Sequence, residues 1–301
     1  MDKEKVRIWA AFVIVCIVWG STWMAIKIGL ETIPPFFAAG VRFVIAAVLL
    51  FLIIRVRGIA VPFDRNAWRV YLALGIPGYA IPFALVYWGQ QYIPSALSSI
   101  LFAAFPFWVA IFSHVLLRKE RLDSYKIGGI VVGFVGLLVI FARDVHWTGI
   151  QGLWGMSAVL LSTALGGFSL VVVKKYGMSI SPFSLNFVAM GMTAILLLGL
   201  SLMVEGGADV VWNTPAVVSV LYLAVISSVL TFVVYFWLLR KVEAVYLSLT
   251  TFVSPIIAIL LGAIFMGENL APTVYIGAGL VLSGILFANG GYLYARIQQK
   301  T

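Results

Sequence analysis

The stretch Lys27-Ile28-Gly29-Leu30-Glu31-Thr32-Ile33-Pro34-Pro35-Phe36 has a counterpart 147 residues later in Lys174-Lys175-Tyr176-Gly177-Met178-Ser179-Ile180-Ser181-Pro182-Phe183. Lys27, Pro35 and Phe36 fall on Lys174, Pro182 and Phe183. Farther along, an offset of 148 pairs Tyr87 with Tyr235 and Glu120 with Glu268, and an offset of 149 pairs Pro106 with Pro255 and Gly128 with Gly277. The order holds through both halves, and the small drift is ordinary loop variation. The chain therefore reads as a duplication, with a first repeat over residues 1–146 and a second over residues 147–301.

Each repeat is built from apolar runs. Of 301 residues 63% are hydrophobic and 10% charged, and the mean hydropathy is +1.10; soluble domains have an apolar share of roughly 45–50%. A bilayer span takes about 20 apolar residues. Runs bounded by proline, glycine and charge predict helices over residues 8–30, 35–54, 68–90, 95–117 and 125–142, then 150–173, 182–204, 215–239, 244–266 and 272–294. A barrel would instead show alternating stretches of about ten residues. Ten spans leave no length for a separate catalytic domain. The single cysteine, Cys16, lies inside an apolar run, which excludes a disulfide framework and a CxxC site.

The net charge of +9 is explained by topology and does not call for a nucleic-acid partner. On one side of the alternating loops lie Lys3, Lys5, Arg7, Arg55, Arg57, Arg65, Arg69, Arg118, Lys119, Arg121, Lys126, Lys174, Lys175, Arg240, Lys241, Arg296 and Lys300; the opposite loops hold Arg143 alone. That asymmetry places both termini in the cytoplasm and supports an even number of helices. The first segment is too long for a signal-peptide core and reads as a retained helix. Five helices per repeat is odd, so the second repeat enters from the opposite face. The expected fold is an all-α polytopic membrane protein of ten transmembrane helices in two inverted five-helix repeats, whose pseudo-twofold brings a solute site to the bilayer midplane.

The run Trp19-Gly20-Ser21-Thr22-Trp23-Met24-Ala25-Ile26-Lys27, then Pro34-Pro35 and Arg42-Phe43, resembles the opening of the EamA-type members of the drug/metabolite transporter superfamily. Pro106 followed by Glu120 and a glycine-rich helix, and Pro255 followed by Gly267-Glu268 and another, resemble the rest of two tandem EamA units. The resemblance covers nearly the whole chain. It implies a ten-helix carrier of the bacterial inner membrane, commonly an exporter of amino acids, metabolites or drugs. Among its subgroups the YddG-like aromatic amino-acid exporters are the nearest in character, because Trp and Tyr fall near predicted midplanes.

Candidate substrate-binding residues are those of helix middles: Trp19 and Ser21, Tyr79 and Phe83, Ser99 and Phe102, Thr163, Ser227, Ser228 and Thr231, and Thr251 beside Thr250. Deep aromatics away from their interfacial belt suggest a polar surrounding, while any single hydroxyl can simply bond its own helix backbone. Trp154 reads either as an interfacial anchor or as an outer lid. Pro77 and Pro82, with Gly75 and Gly78, and Pro106 and Pro255 are hinge or cavity candidates, because each internal proline frees a carbonyl. Gly128, Gly129, Gly133 and Gly136 in the fifth helix, and Gly277, Gly279, Ser283 and Gly284 in the tenth, are close-packing faces. They join either within the chain or across a homodimer, so monomer and dimer both stand.

Lys27, Arg42, Glu120 and Glu268 are read as structural charges. Arg42 lies about 10 Å along its helix from Pro35, where it can pair with Glu31 or Glu268 or meet a substrate carboxylate. No Asp, Glu or His falls at a predicted midplane, which argues against proton coupling, a metal or cofactor centre, and intramembrane hydrolysis. The function that fits is a secondary transporter of amino acids, aromatic or large apolar ones, and related small metabolites by alternating access. The alternative is an exporter of cationic compounds, for which a membrane glutamate in the first helix is expected; Val15-Cys16-Ile17-Val18-Trp19 stands there. A membrane enzyme is a weaker third reading. The topology has a direct test: a tag at Thr301 should escape an impermeant label in intact cells, and labelling without permeabilisation would overturn the cytoplasmic assignment.

Overall fold

The computed structural model describes residues 3–117, 124–242, 244, 247, 250–268 and 270–298, among which there is no strand. Glu120 lies outside them. The helices follow one another as α1 (Lys3–Leu30), α2 (Pro35–Arg57), α3 (Arg65–Gly89), α4 (Ser95–Leu116), α5 (residues 124–148), α6 (Gly149–Tyr176), α7 (Pro182–Val204), α8 (Thr214–Leu239), α9 (Thr250–Met266) and α10 (Pro272–Gln298). Seven of them, α1 to α4 and α6 to α8, are long and apolar enough to cross a membrane; α5, α9 and α10 carry shorter apolar stretches, Ile127–Val139, Val253–Met266 and Pro272–Gly284. Gly149, at φ 66° and ψ −168°, separates α5 from α6 in what would otherwise be one continuous rod. A positive φ is free of strain only for glycine.

The starts of the helices follow from proline chemistry. Pro35, Pro182 and Pro215 occupy the first turns of α2, α7 and α8, where the missing N–H is not needed. Gly58 closes α2 in the left-handed conformation. Two helices are interrupted by wide π turns, over Gly75–Ala80 in α3 and Leu223–Leu230 in α8. The interruptions start 148 residues apart, at matching places in the two repeats. Proline accounts for the first, which contains Pro77, whereas the second contains none.

Contacts between loops show that alternate helices begin at opposite ends. At one end, Lys241 pairs with Glu4 at 2.8 Å, Asn66 donates to the Tyr176 carbonyl, Ser184 to that of Ala60, and Arg240 to that of Ile180. At the other, the Val211 amide donates to the Thr32 carbonyl. Glu205 accepts from the Phe36 and Phe37 amides at 2.7 and 2.9 Å, and Glu268 from those of Ser95 and Ala96 at 2.8 and 3.1 Å. Lys27 donates there to the carbonyls of Gln90 and Ile93. Its counterpart Lys174 donates to Leu239 and Val242, at the end that carries the N-terminus. The same bond thus recurs at opposite ends, as inverted repeats require.

Packing repeats in the same way. An added Cβ on Gly20 of α1 would fall 2.6 Å from Ile257 of α9, and one on Gly167 of α6 would fall 2.9 Å from Trp108 of α4. Between α5 and α10, Gly136 lies against the Gly277 backbone and Gly284 against that of Gly129 and Gly133. The two glycine faces therefore bury each other within one chain. Helices α2 and α7 pack across the repeat boundary, and each also packs on the π turn of the other repeat.

Close backbone contact at α5 and α10 gives a measurable expectation. A Cβ at Gly136 would meet the Gly277 carbonyl at 2.6 Å, whereas one at Gly199 meets nothing within 4 Å. Gly136→Val should lower stability by about 1–3 kcal/mol or prevent folding, and Gly199→Ala should be neutral or slightly stabilising. Thermal unfolding in detergent reads both; equal losses would remove the packing account.

Candidate functional site

The apolar core is interrupted by a cavity of about 130 Å³ walled by α1, α2, α3, α4, α6, α8 and α9. Among the described residues α5, α7 and α10 contribute nothing to its wall. Aromatic rings from α1, α3, α4 and α8 form a large part of it. Trp19 lies 4.6 Å from Tyr235 and 5.3 Å from Phe232, Phe232 lies 4.9 Å from Tyr79, Trp23 lies 5.2 Å from Phe102, and Phe102 stacks on Phe105 at 5.7 Å. Such offset and edge contacts fix the rings against one another.

The polar part of the wall is neutral apart from one residue. Thr22 bonds Ser227 at 3.1 Å. Ser254 accepts from the Trp23 indole at 3.0 Å and bonds Ser99 at 3.2 Å. Thr251, Ser162 and Ser169 also line the cavity. Arg42 enters from α2, where it donates to Ser228, Ser227 and Tyr87. No Asp, Glu or His is among the described wall residues.

Of the residues singled out by depth alone, Trp19, Tyr79, Phe83, Phe102, Ser227 and Thr251 stand on the wall, together with Pro82. Ser228 and Ser99 stand behind it, holding Arg42 and Ser254. Four others point elsewhere. Ser21 bonds Tyr222 at 2.6 Å, Thr163 donates to the Leu160 carbonyl, Thr231 donates to that of Ile226 in the π turn, and Trp154 is 62% exposed. Thr250 donates to the Leu247 carbonyl. Pro77 sits in the π turn of α3, Pro106 follows a break in α4 at Ala103 and Ala104, and Pro255 lies inside a continuous α9. Arg42 meets neither Glu31 nor Glu268, since Glu268 is engaged at the start of α4.

The wall residues that depth did not reveal include Thr22, Trp23, Ser162, Ser169, Phe236 and Ser254. Helical phase would have found several of them. Trp19, Thr22, Trp23 and Ile26 recur at spacings of three and four on α1, as do Ser162, Gly166, Ser169 and Leu170 on α6. Thr163 is one position out of phase, and Ser21 faces α8 instead.

This arrangement separates wall from packing in a testable way. Trp19→Ala should change which solutes compete for uptake into proteoliposomes, and Trp154→Ala should leave the competition order unchanged. Identical shifts in both would show that the cavity does not select the solute.

Comparison with known proteins agrees with the architecture. The EamA-like transporter family matches residues 7–142 and again 153–290. Protein PagO of Salmonella typhimurium is 30% identical over 85% of this chain and 84% of its own length. The uncharacterized transporter YoaV of Bacillus subtilis is 29% identical over 93% of this chain and 96% of its own, and the uncharacterized inner membrane transporter YedA of Escherichia coli is 26% identical over 97% and 94%. A solved crystal structure, 18% identical, superposes with a TM-score of 0.71 over 97% of this chain and 99% of its own, a likeness of fold alone. Two matched repeats with their symmetric contacts and a cavity between them make this chain a member of the EamA-like transporter family, a polytopic membrane transporter.

Proposed function

We propose that the protein carries amino acids with aromatic or large apolar side chains, and related small metabolites, across a bacterial inner membrane by alternating access. The observation that carries this reading is the aromatic cavity between the repeats. A cavity of about 150 Å³ lined by Leu, Ile and Phe takes up benzene, so 130 Å³ walled by indole and phenyl rings is matched to a side chain of that size. Hydroxyls on the same wall suit the polar end of the solute. Both termini lie in the cytoplasm on this reading, and the mutual burial of the glycine faces of α5 and α10 within the chain supports a monomer over a dimer through those faces.

An exporter of cationic compounds is the rival. Aromatic walls attract cations, but a carboxylate on the wall would serve such cargo better, and the described wall residues include none. The same inventory bears on coupling. One charge moved through 100 mV is worth about 2.3 kcal/mol, and a carrier that exploits it needs a group inside the barrier that binds the driving ion. A net-neutral zwitterion crossing alone carries no net charge. We therefore read the protein as a facilitator, or uniporter, that releases excess amino acid down its gradient.

Counterflow in proteoliposomes tests this. Labelled L-phenylalanine should exchange against unlabelled solute with no ion gradient, and an imposed pH, Na⁺ or potential gradient should not drive accumulation. Uphill uptake on any of those gradients would overturn the uniport reading while leaving the transported class intact.

A further inference from the structure

Arg42 is the charged member of the described cavity wall and is only 1% exposed. Its Nε donates to Ser228 Oγ at 2.8 Å, one terminal nitrogen to the Tyr87 hydroxyl at 3.3 Å and the other to Ser227 Oγ at 3.1 Å. Its guanidinium carbon lies 4.9 Å from the centre of the Phe83 ring and 5.3 Å from that of Phe43. Among the described residues no carboxylate approaches it within ion-pair distance. A guanidinium has five N–H donors. Three are used here, and one remains on each terminal nitrogen.

A buried cation that is hydrogen-bonded only to neutral groups remains electrostatically uncompensated. Its best complement is a carboxylate, which a guanidinium binds through two N–H groups at once. Tyr235 supplies an independent observation. It is 3% exposed on the same wall, and its hydroxyl has no partner among the described residues. Its counterpart in the first repeat, Tyr87, receives an N–H from Arg42. Ala189 stands 147 residues after Arg42, so the second repeat has no arginine to offer Tyr235. A phenol can donate to a carboxylate oxygen.

We propose that Arg42 anchors the carboxylate of the transported solute and that the Tyr235 hydroxyl is a second donor to it. The site then selects an apolar or aromatic body that carries a carboxylate. This deepens the amino-acid reading above and rests on it for the route of transport. The competing role for Arg42 is purely structural, tying α2 to the π turn of α8 through Ser227 and Ser228.

The test is counterflow in proteoliposomes with three probes of one shape: L-phenylalanine, L-phenylalaninamide, which lacks the carboxylate, and 3-phenylpropionate, which lacks the amine. The wild-type protein should prefer phenylalanine over its amide by about 10- to 100-fold, the range for hydrogen bonds to a charged group. Arg42→Gln should bring that ratio close to one, Arg42→Lys should keep part of it, and Tyr235→Phe should reduce it by a few fold. If Arg42→Gln does not fold, the wild-type ratio and the Arg42→Lys ratio decide. Equal competition by the acid and the amide in the wild type, or an undiminished acid preference in Arg42→Gln, overturns the anchor and leaves amino-acid transport standing. Passage of 3-phenylpropionate but not phenylalanine sinks the amino-acid reading and supports the anchor. Exchange of none of the three overturns both.

Discussion

A chain in hydrocarbon has to satisfy its backbone polar groups from within, and here side chains of distant elements meet that need at several described helix ends. The first amides of α2 and α4 have no partner in their own helices. Glu205 and Glu268, carried at the far ends of α7 and α9, supply carboxylate oxygens to them. Carbonyls at and just beyond the ends of α3 and α8 receive Lys27 and Lys174. Helices whose ends are held by side chains of distant elements are tied to one another around the cavity in this conformation.

Inverted repetition explains why the lysine bonds come as a pair, whereas Glu205 and Glu268 both belong to the second repeat and are not counterparts of each other. Lys27 and Lys174 match, as do the contacts of Gly20 with Ile257 and Gly167 with Trp108. Arg42 and Ala189 do not. Helix α2 grips the π turn of α8 through a guanidinium, whereas α7 grips the π turn of α3 through Thr193, which donates to the Gly75 carbonyl at 3.0 Å. Asn186 of α7 also accepts from Tyr79 at 2.7 Å. One grip is charged and the other neutral, so the polarity of the cavity is one-sided although the scaffold is nearly symmetric.

Much of the architecture was legible because its signals are additive along the chain. Ten apolar runs, alternating loop charge and an ordered set of repeat pairs each accumulate over many residues, and the helices fall where those runs end. The site was less legible, since depth in the bilayer says nothing about rotation around a helix axis. Trp19 and Thr163 lie at comparable depth, but only Trp19 has the phase that faces the cavity. The π turn in α8 left no proline to mark it; its mark was the position of its counterpart around Pro77. Glu205 was passed over because it lies at the edge of its apolar run, and its role depends on a helix start that is remote in sequence.

The scarcity of charge in the wall has a mechanistic consequence. Rings and hydroxyls offer an apolar body area and shape, while the charge among the described wall residues, Arg42, stands on the α2 side alone. For the facilitator proposed above, a solute held much more tightly in one state would slow its own release, so a one-sided charge has to act alike in both states. Arg42 serves both states alike if it keeps its bonds to Ser227 and Ser228 as the cavity changes face, because α2 and the π turn of α8 then move as one body and carry the charge with them.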